Sequence, residues 1–108
     1  MIKRVSLVRR HADLTREAFR AHWMGAHADI ARRLPGLRGL RFGVVEQWSP
    51  AEAAWDGIGE LWFDSVEAAE EAFATEPYHS MLVEDRKLLF SEAQSCFLVE
   101  HTVVPPPR

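Results

Sequence analysis

Apolar and polar residues alternate with period two along Ile2–Arg10. Val5 and Leu7 share one face, Ile2 and Val8 the other, and this predicts a strand. The period then changes. Phe19, Trp23, Ala26, Ile30 and Leu34 recur at helical spacing, which predicts an amphipathic helix entered at residues 13–15 and stopped by Pro35-Gly36. Thr15 is its expected N-cap, although Ala18 stands where a capping box needs Glu or Gln.

Alternation returns over residues 37–48, with Leu40, Phe42, Val44 and Trp48 on one side of a predicted second strand. Residues 49–56 read as a connection bounded by Pro50 and Asp56-Gly57. The third strand, Gly57–Phe63, carries Ile58, Glu60 and Trp62 on one face and Leu61 and Phe63 on the other. Asp64 or Ser65 caps a second helix whose apolar side is Val66, Ala69 and Phe73. Pro77 breaks it, and residues 79–89 resume as a helix with Met81, Leu82 and Leu88. Residues 94–104 are the expected last strand, Phe97 and Val99 opposing Cys96 and Leu98.

The order strand-helix-strand therefore occurs twice. This is the βαββαβ arrangement of an α+β, ferredoxin-like domain: an antiparallel sheet covered on one face by two helices. The domain is expected over residues 1–104, with a proline-rich tail at 105–108. Large apolar groups on both sides of the strands argue that the second face is also covered, which predicts a homodimer.

Composition narrows the function classes. At 108 residues the chain is one domain, and its net charge of −3, with acids between the bases, argues against a nucleic-acid partner. The N-terminal stretch lacks the apolar run of a leader or membrane span, so a cytoplasmic protein without a membrane partner is expected. Cys96, the one cysteine, rules out an internal disulfide and reads as a small buried hydrophobe. No phosphate loop, nucleotide fingerprint or nucleophilic serine elbow is present. No residue set demands a metal or cofactor, and none is expected.

Histidine moves protons near neutral pH, so His27, beside the helix stripe, is the first candidate for general acid or base. Asp85 would orient that imidazole if its helix packs against the first; its alternative is an exposed pairing with Arg86 or Lys87. His22 lies five residues from His27, a spacing that does not put both on one α-helical face. Tyr78 and His79, after a proline, are candidates for substrate contact at a cavity rim. Trp23, Phe42, Trp62 and Phe90 are candidates for packing a flat ligand. Glu60, set between Ile58 and Trp62, is a candidate buried acid; the alternative is a structural tie to Arg41, Arg9 or backbone donors.

The ordered set of motifs resembles the EthD family, named after a protein linked to ethyl tert-butyl ether degradation, within the dimeric alpha-beta barrel superfamily. The resemblance is carried by an opening strand ending Arg9-Arg10, then Leu14-Thr15-Arg16-Glu17-Ala18-Phe19-Arg20 with Trp23, His27 and Ala28. Leu34-Pro35-Gly36-Leu37 follows, then Asp56-Gly57-Ile58, Glu60-Leu61-Trp62-Phe63, and late Asp85 with Phe90. It implies a dimer with a pocket between sheet and helices in each subunit. It also implies a proton-transfer role for His27 with Asp85 as the aspartate beside it; it carries no role onto His22, where relatives often have an aromatic or other residue. Relatives include decarboxylases and dehydratases of aromatic polyketide-like acids; more distant ones are lactone isomerases, monooxygenases and haem enzymes.

The leading expectation is a cofactor-independent lyase or isomerase acting on a small hydrophobic, cyclic or aromatic oxygenated compound. The alternatives are a non-catalytic ligand-binding or accessory dimer, a cofactor-free monooxygenase, and a haem-binding protein.

Overall fold

The computed structural model describes residues 1–49 and 55–107. Its elements run β1 (Ile2–Arg10), α1 (Arg16–His22), a π-helical turn (Trp23–His27), α2 (Ala28–Ala31), β2 (Gly39–Val44), β3 (Gly57–Phe63), α3 (Val66–Ala74), α4 (Tyr78–Leu89) and β4 (Phe90–Leu98). The sheet order is β2-β3-β1-β4 and every neighbouring pair is antiparallel, as a ferredoxin-like fold requires. Thr15 and Ser65 cap α1 and α3, accepting from the backbone amides of Ala18 and Ala68.

Three boundaries differ from the sequence reading. The second strand stops at Val44. Trp48 lies beyond it, donating its indole N–H to the Trp55 carbonyl at 2.8 Å. The last strand begins at Phe90 and ends at Leu98, four residues earlier than expected at its start. Its first half, Ser91 to Ser95, is small or polar and carries no apolar alternation; backbone pairing to β1 defines it. Beyond it, Val99, Val103 and Val104 are exposed and pair with no strand. The connection at 49–56 falls mostly outside the described residues.

Register sorts the side chains into two faces. Rows Val44–Gly57–Val8–Ala93, Phe42–Gly59–Ser6–Ser95 and Leu40–Leu61–Arg4–Phe97 face the helices. The other face presents Lys3, Val5, Leu7 and Arg9 of β1 with Arg41, Ile58, Glu60, Trp62, Cys96 and Leu98. Among the described residues no helix covers that face. Cys96 is therefore exposed, against the expectation of burial.

The core beneath the helices is split. One cluster gathers Ala31, Leu34, Leu61, Phe63, Ala69, Ala72 and Leu82. A second holds Val8, Phe19, Trp23 and Leu89. Within α4 the inward positions are Leu82 and Leu89, while Met81 and Leu88 are exposed. Asp85 and Arg86 follow Leu82 by three and four residues, so both turn inward with it.

Candidate active site

The first helix is not regular. The amide of Ala28 reaches back to the Trp23 carbonyl, an i→i−5 bond that widens one turn around Met24-Gly25-Ala26. Two consequences follow for the apolar stripe. Ala26, expected in the core, is exposed, and His27 is buried in its place at 7% exposure. On a regular helix His22 and His27 would stand about 140° apart. The wider turn brings them onto one side, where both reach Asp85 of α4.

The Asp85 carboxylate holds one imidazole on each oxygen. His22 Nε2 lies 2.8 Å from Oδ1 and His27 Nδ1 lies 2.7 Å from Oδ2. A carboxylate only accepts, so both of these ring nitrogens carry the hydrogen. For His27 that leaves Nε2 free of protein partners among the described residues, with a lone pair in the neutral ring. Asp85 pairs with neither Arg86 nor Lys87; Lys87 is held by Glu84.

His27 borders a cavity of about 170 Å³ in the gap between the two core clusters. The hollow exists because its floor is built from Ser6, Gly59, Ala93 and Ser95, which fill little of the space under the helices. One wall is aromatic. Trp23 stacks on Phe42 at 4.4 Å and 12°, and Phe90 meets Trp23 edge-on at 6.3 Å and His27 at 5.6 Å. Ala31, Leu61, Leu82 and Phe73 form the opposite side, and Arg4 and Arg86 complete the lining. A dry cavity of about 150 Å³ holds one benzene ring, so this one is sized for a single ring and small substituents.

The candidate residues from sequence thus divide. His27, Trp23, Phe42 and Phe90 line the cavity, and Asp85 stands behind His27. Trp62 and Glu60 lie on the far side of the sheet, because residues of their register point away from the helices. Glu60 pairs with Lys3, not with Arg41 or Arg9. Trp62 donates its indole N–H to Glu100 at 2.7 Å and lies beneath Lys3. Tyr78 packs against the first core cluster, and His79 Nδ1 donates to the Phe73 carbonyl at 3.0 Å, so neither lines this cavity.

Sequence reasoning missed His22, Arg4 and Arg86. His22 carried no signal, since its approach depends on a π turn that spacing rules do not foresee. Arg4 did carry one: it shares a strand face with Ile2 and Val8, where a charge is out of place.

Burial pushes the His27 pKa below the ordinary imidazole value; Asp85 opposes the shift, and the nearby charges of Arg86 and His22 add to it. His27 is therefore neutral at pH 7, the form a general base needs. Burial also lowers Arg4, to about 10, with the Arg86 charge contributing. Arg86 is lowered by burial alone.

Nε2 of His27 is also the atom that would ligate a metal or haem iron, with Asp85 as the carboxylate behind it. Among the residues lining the cavity His27 is the one side chain able to ligate haem iron. Among the described residues no group of three or more His, Cys, Asp and Glu side chains is arranged to hold a metal ion. Nor is any described helix long and apolar enough to cross a membrane.

Fold and site together define a ferredoxin-like α+β domain with a histidine–carboxylate pair beside a ring-sized cavity. The EthD domain matches residues 11–92, and the chain belongs to the EthD family. Among solved structures it is similar to an EthD family protein of Bacillus halodurans C-125, at TM-score 0.79 and 22% identity, covering 94% of this chain and 99% of that one. A dimeric ferredoxin-like protein of unknown function from Thermobifida fusca YX superposes at TM-score 0.72 and 14% identity, covering 92% and 90%. A hydroxynitrile lyase from Passiflora edulis does so at 0.73 and 11%, covering 96% of each. No curated protein sequence matches significantly.

Proposed function

We propose that the protein is a cofactor-independent lyase or isomerase that moves a proton on a single-ring, oxygenated substrate. The observation that carries this is the His27–Asp85 pair, with Nδ1 tied to the carboxylate and Nε2 left to the cavity. Neutral Nε2 takes a proton from a substrate carbon or hydroxyl made acidic by a neighbouring carbonyl. The imidazolium that forms is stabilised by Asp85, and His22 holds that carboxylate in place from its other oxygen. Return of the proton to a different atom gives an isomerase. Loss of a leaving group from the carbanion or alkoxide gives a lyase, and the similar fold of the passion-fruit hydroxynitrile lyase supports that class.

The functional unit in this reading is a homodimer that buries the uncovered sheet face around Val5, Leu7, Ile58 and Leu98. The dimeric state of the Thermobifida fusca protein supports it. A cytoplasmic setting suits the free thiol of Cys96, because a reducing compartment keeps it from oxidising before the subunits pair over it.

The test is deuterium wash-in. Single-ring ketones, lactones and hydroxy acids are incubated with the protein in D2O, and incorporation at carbon is followed by NMR. Wild type should catalyse exchange into at least one compound that binds. His27→Ala should lower that rate by roughly 10²–10⁴-fold while sedimenting as the same dimer. Compounds that bind without any exchange, or exchange that survives His27→Ala, would refute the assignment and favour a binding role.

A further inference from the structure

We propose that Arg4 and Arg86 form a carboxylate-recognition site at the cavity, so that the ligand is a ring-bearing acid rather than a neutral molecule. The inference rests on the reading of the cavity as a ligand site and specifies what enters it.

Four observations carry it. Arg4, from the centre strand β1, and Arg86, from α4, both line the cavity and are both half-buried. Their guanidinium carbons lie 4.4 Å and 5.8 Å from the centroid of the same ring, Phe73, so the fold gathers two positive charges around one side chain. Neither meets a carboxylate among the described residues. Arg4 Nη1 donates instead to Ser6 Oγ at 2.8 Å, and that hydroxyl lies 3.1 Å from Ser95 Oγ on the floor. The other partly buried cations among the described residues do meet acids: Lys3 has Glu60 and Glu100, and Arg10 has Asp56.

Two half-buried like charges repel each other and have lost part of their hydration. A bound anion removes both penalties, which makes this pair a poor structural device and a good binding one. Guanidinium groups are planar forks that match the two oxygens of a carboxylate, and the hydroxyl hydrogen not spent between Ser6 and Ser95 is one further donor beside them. The aromatic wall of Trp23, Phe42 and Phe90 then takes the ring. A cavity of about 170 Å³ admits a ring with one such group and little more.

Benzoate and benzamide, nearly identical in shape and different in charge, separate the alternatives by calorimetry or by NMR shifts of the purified protein. Benzoate should bind at least tenfold more tightly. Arg4→Met and Arg86→Met should each remove most of that preference. Both variants lose a half-buried cation that has no acidic partner and should melt no lower than wild type; Arg4→Lys, retaining charge without the fork, should fall between.

Equal affinity for the two probes, no binding of either at millimolar concentration, or a preference that survives both substitutions would overturn the proposal. So would displacement by inorganic phosphate at concentrations similar to benzoate, which would mark a site for phosphate instead. His27→Ala separates this proposal from the catalytic reading. If benzoate binds wild type and His27→Ala alike, with the same dependence on Arg4 and Arg86, while wild type itself exchanges deuterium into no compound, the acid site stands and the proton-transfer assignment falls.

Discussion

Lys3 and Arg4 are neighbours in the sequence and cations both, yet the sheet sends them to opposite faces with opposite provision. Lys3, on the uncovered face, is clasped by Glu60 and Glu100 and rests over Trp62. Arg4, on the helix face, is given a phenyl ring, a hydroxyl and a second arginine. On the uncovered face Lys3, Arg9, Glu60 and Glu100 are paired within the chain, and Arg41 rests over Trp62. Beneath the helices the described residues leave a hollow, a histidine nitrogen without a protein partner and two cations without acids. A face that balances its own charges is built to be covered; a face that does not is built to be filled.

The largest effect that separates the two faces should come from two glycines. A Cβ on Gly57 would lie 2.3 Å from Trp23 Cζ3 and 2.6 Å from Cη2. Trp23 is fully buried and stacked on Phe42, so its ring has nowhere to move without opening the aromatic wall. Gly57→Ala should cost about 1–3 kcal/mol or more, by overpacking. For a domain of this size each kcal/mol lowers Tm by roughly 4–8 °C. Gly43, one residue along on the paired strand, faces the other way, and a Cβ there meets only the Ile58 carbonyl at 3.8 Å. Gly43→Ala should stay within about 0.5 kcal/mol of wild type. Thermal melts of the two variants decide it; similar losses would mean the inner wall is softer than its packing implies.

Next in size is the reciprocal pair Lys3→Met and Arg4→Met. Removing Lys3 strands two carboxylates, so Tm should fall while benzoate affinity holds. Removing Arg4 strands nothing, so Tm should hold or rise while benzoate affinity falls at least tenfold. If both variants lose stability and neither loses affinity, the faces do not differ in purpose.

Why the two faces were unequally legible in the sequence follows from the same chemistry. Alternation in Gly57–Phe63 separated Glu60 and Trp62 from Leu61 and Phe63 correctly, because period two survives any strand twist. Thr15 and Ser65 announced their helices by local hydrogen bonding alone. The strand at Phe90–Leu98 was misplaced because Ser91 to Ser95 are too small and polar to show a pattern. Those same small residues, with Ser6 and Gly59, open the cavity. At His22 the failure was one of geometry. A five-residue spacing reads as two faces on an α-helix and as one face on a π turn, and the bond from Ala28 to Trp23 exists only once the helix is packed. Asp85 was placed near His27 through resemblance, and the carboxylate that spans both histidines emerged only from the packing of α4.

A smaller effect, inside the helix face, tests whether His22 positions Asp85. His22→Ala frees Oδ1 and lets the carboxylate turn, so kcat should fall about 10–100-fold with KM little changed. His22→Gln retains an amide donor and should recover most of that loss. A KM effect without rescue by Gln would mean that His22 only supports the local packing.

The smallest expected effect is the pH dependence of stability, and the two faces should give it opposite signs. On the helix face, burial first, then Arg86 and His22, hold the folded-state pKa of His27 below its unfolded value despite Asp85. Between those two values the unfolded chain binds a proton that the folded one refuses, so stability falls as pH drops below about 6.5 and levels off under the folded pKa. On the uncovered face, burial lowers Lys3, but hydrogen bonds and charges from Glu60 and Glu100 outweigh it, and its folded pKa is raised. Its contribution is full below the unfolded lysine value and is lost as pH rises through the folded one. Melts of wild type against His27→Gln should diverge on the acid side, as pH falls below about 6.5, with the wild type losing stability faster. Melts against Lys3→Met should converge on the alkaline side, above about pH 10, as the wild type loses the advantage the variant never had. Parallel acid limbs would show that His27 titrates as it does in the unfolded chain, and the argument for a neutral base at the cavity would lose its electrostatic half.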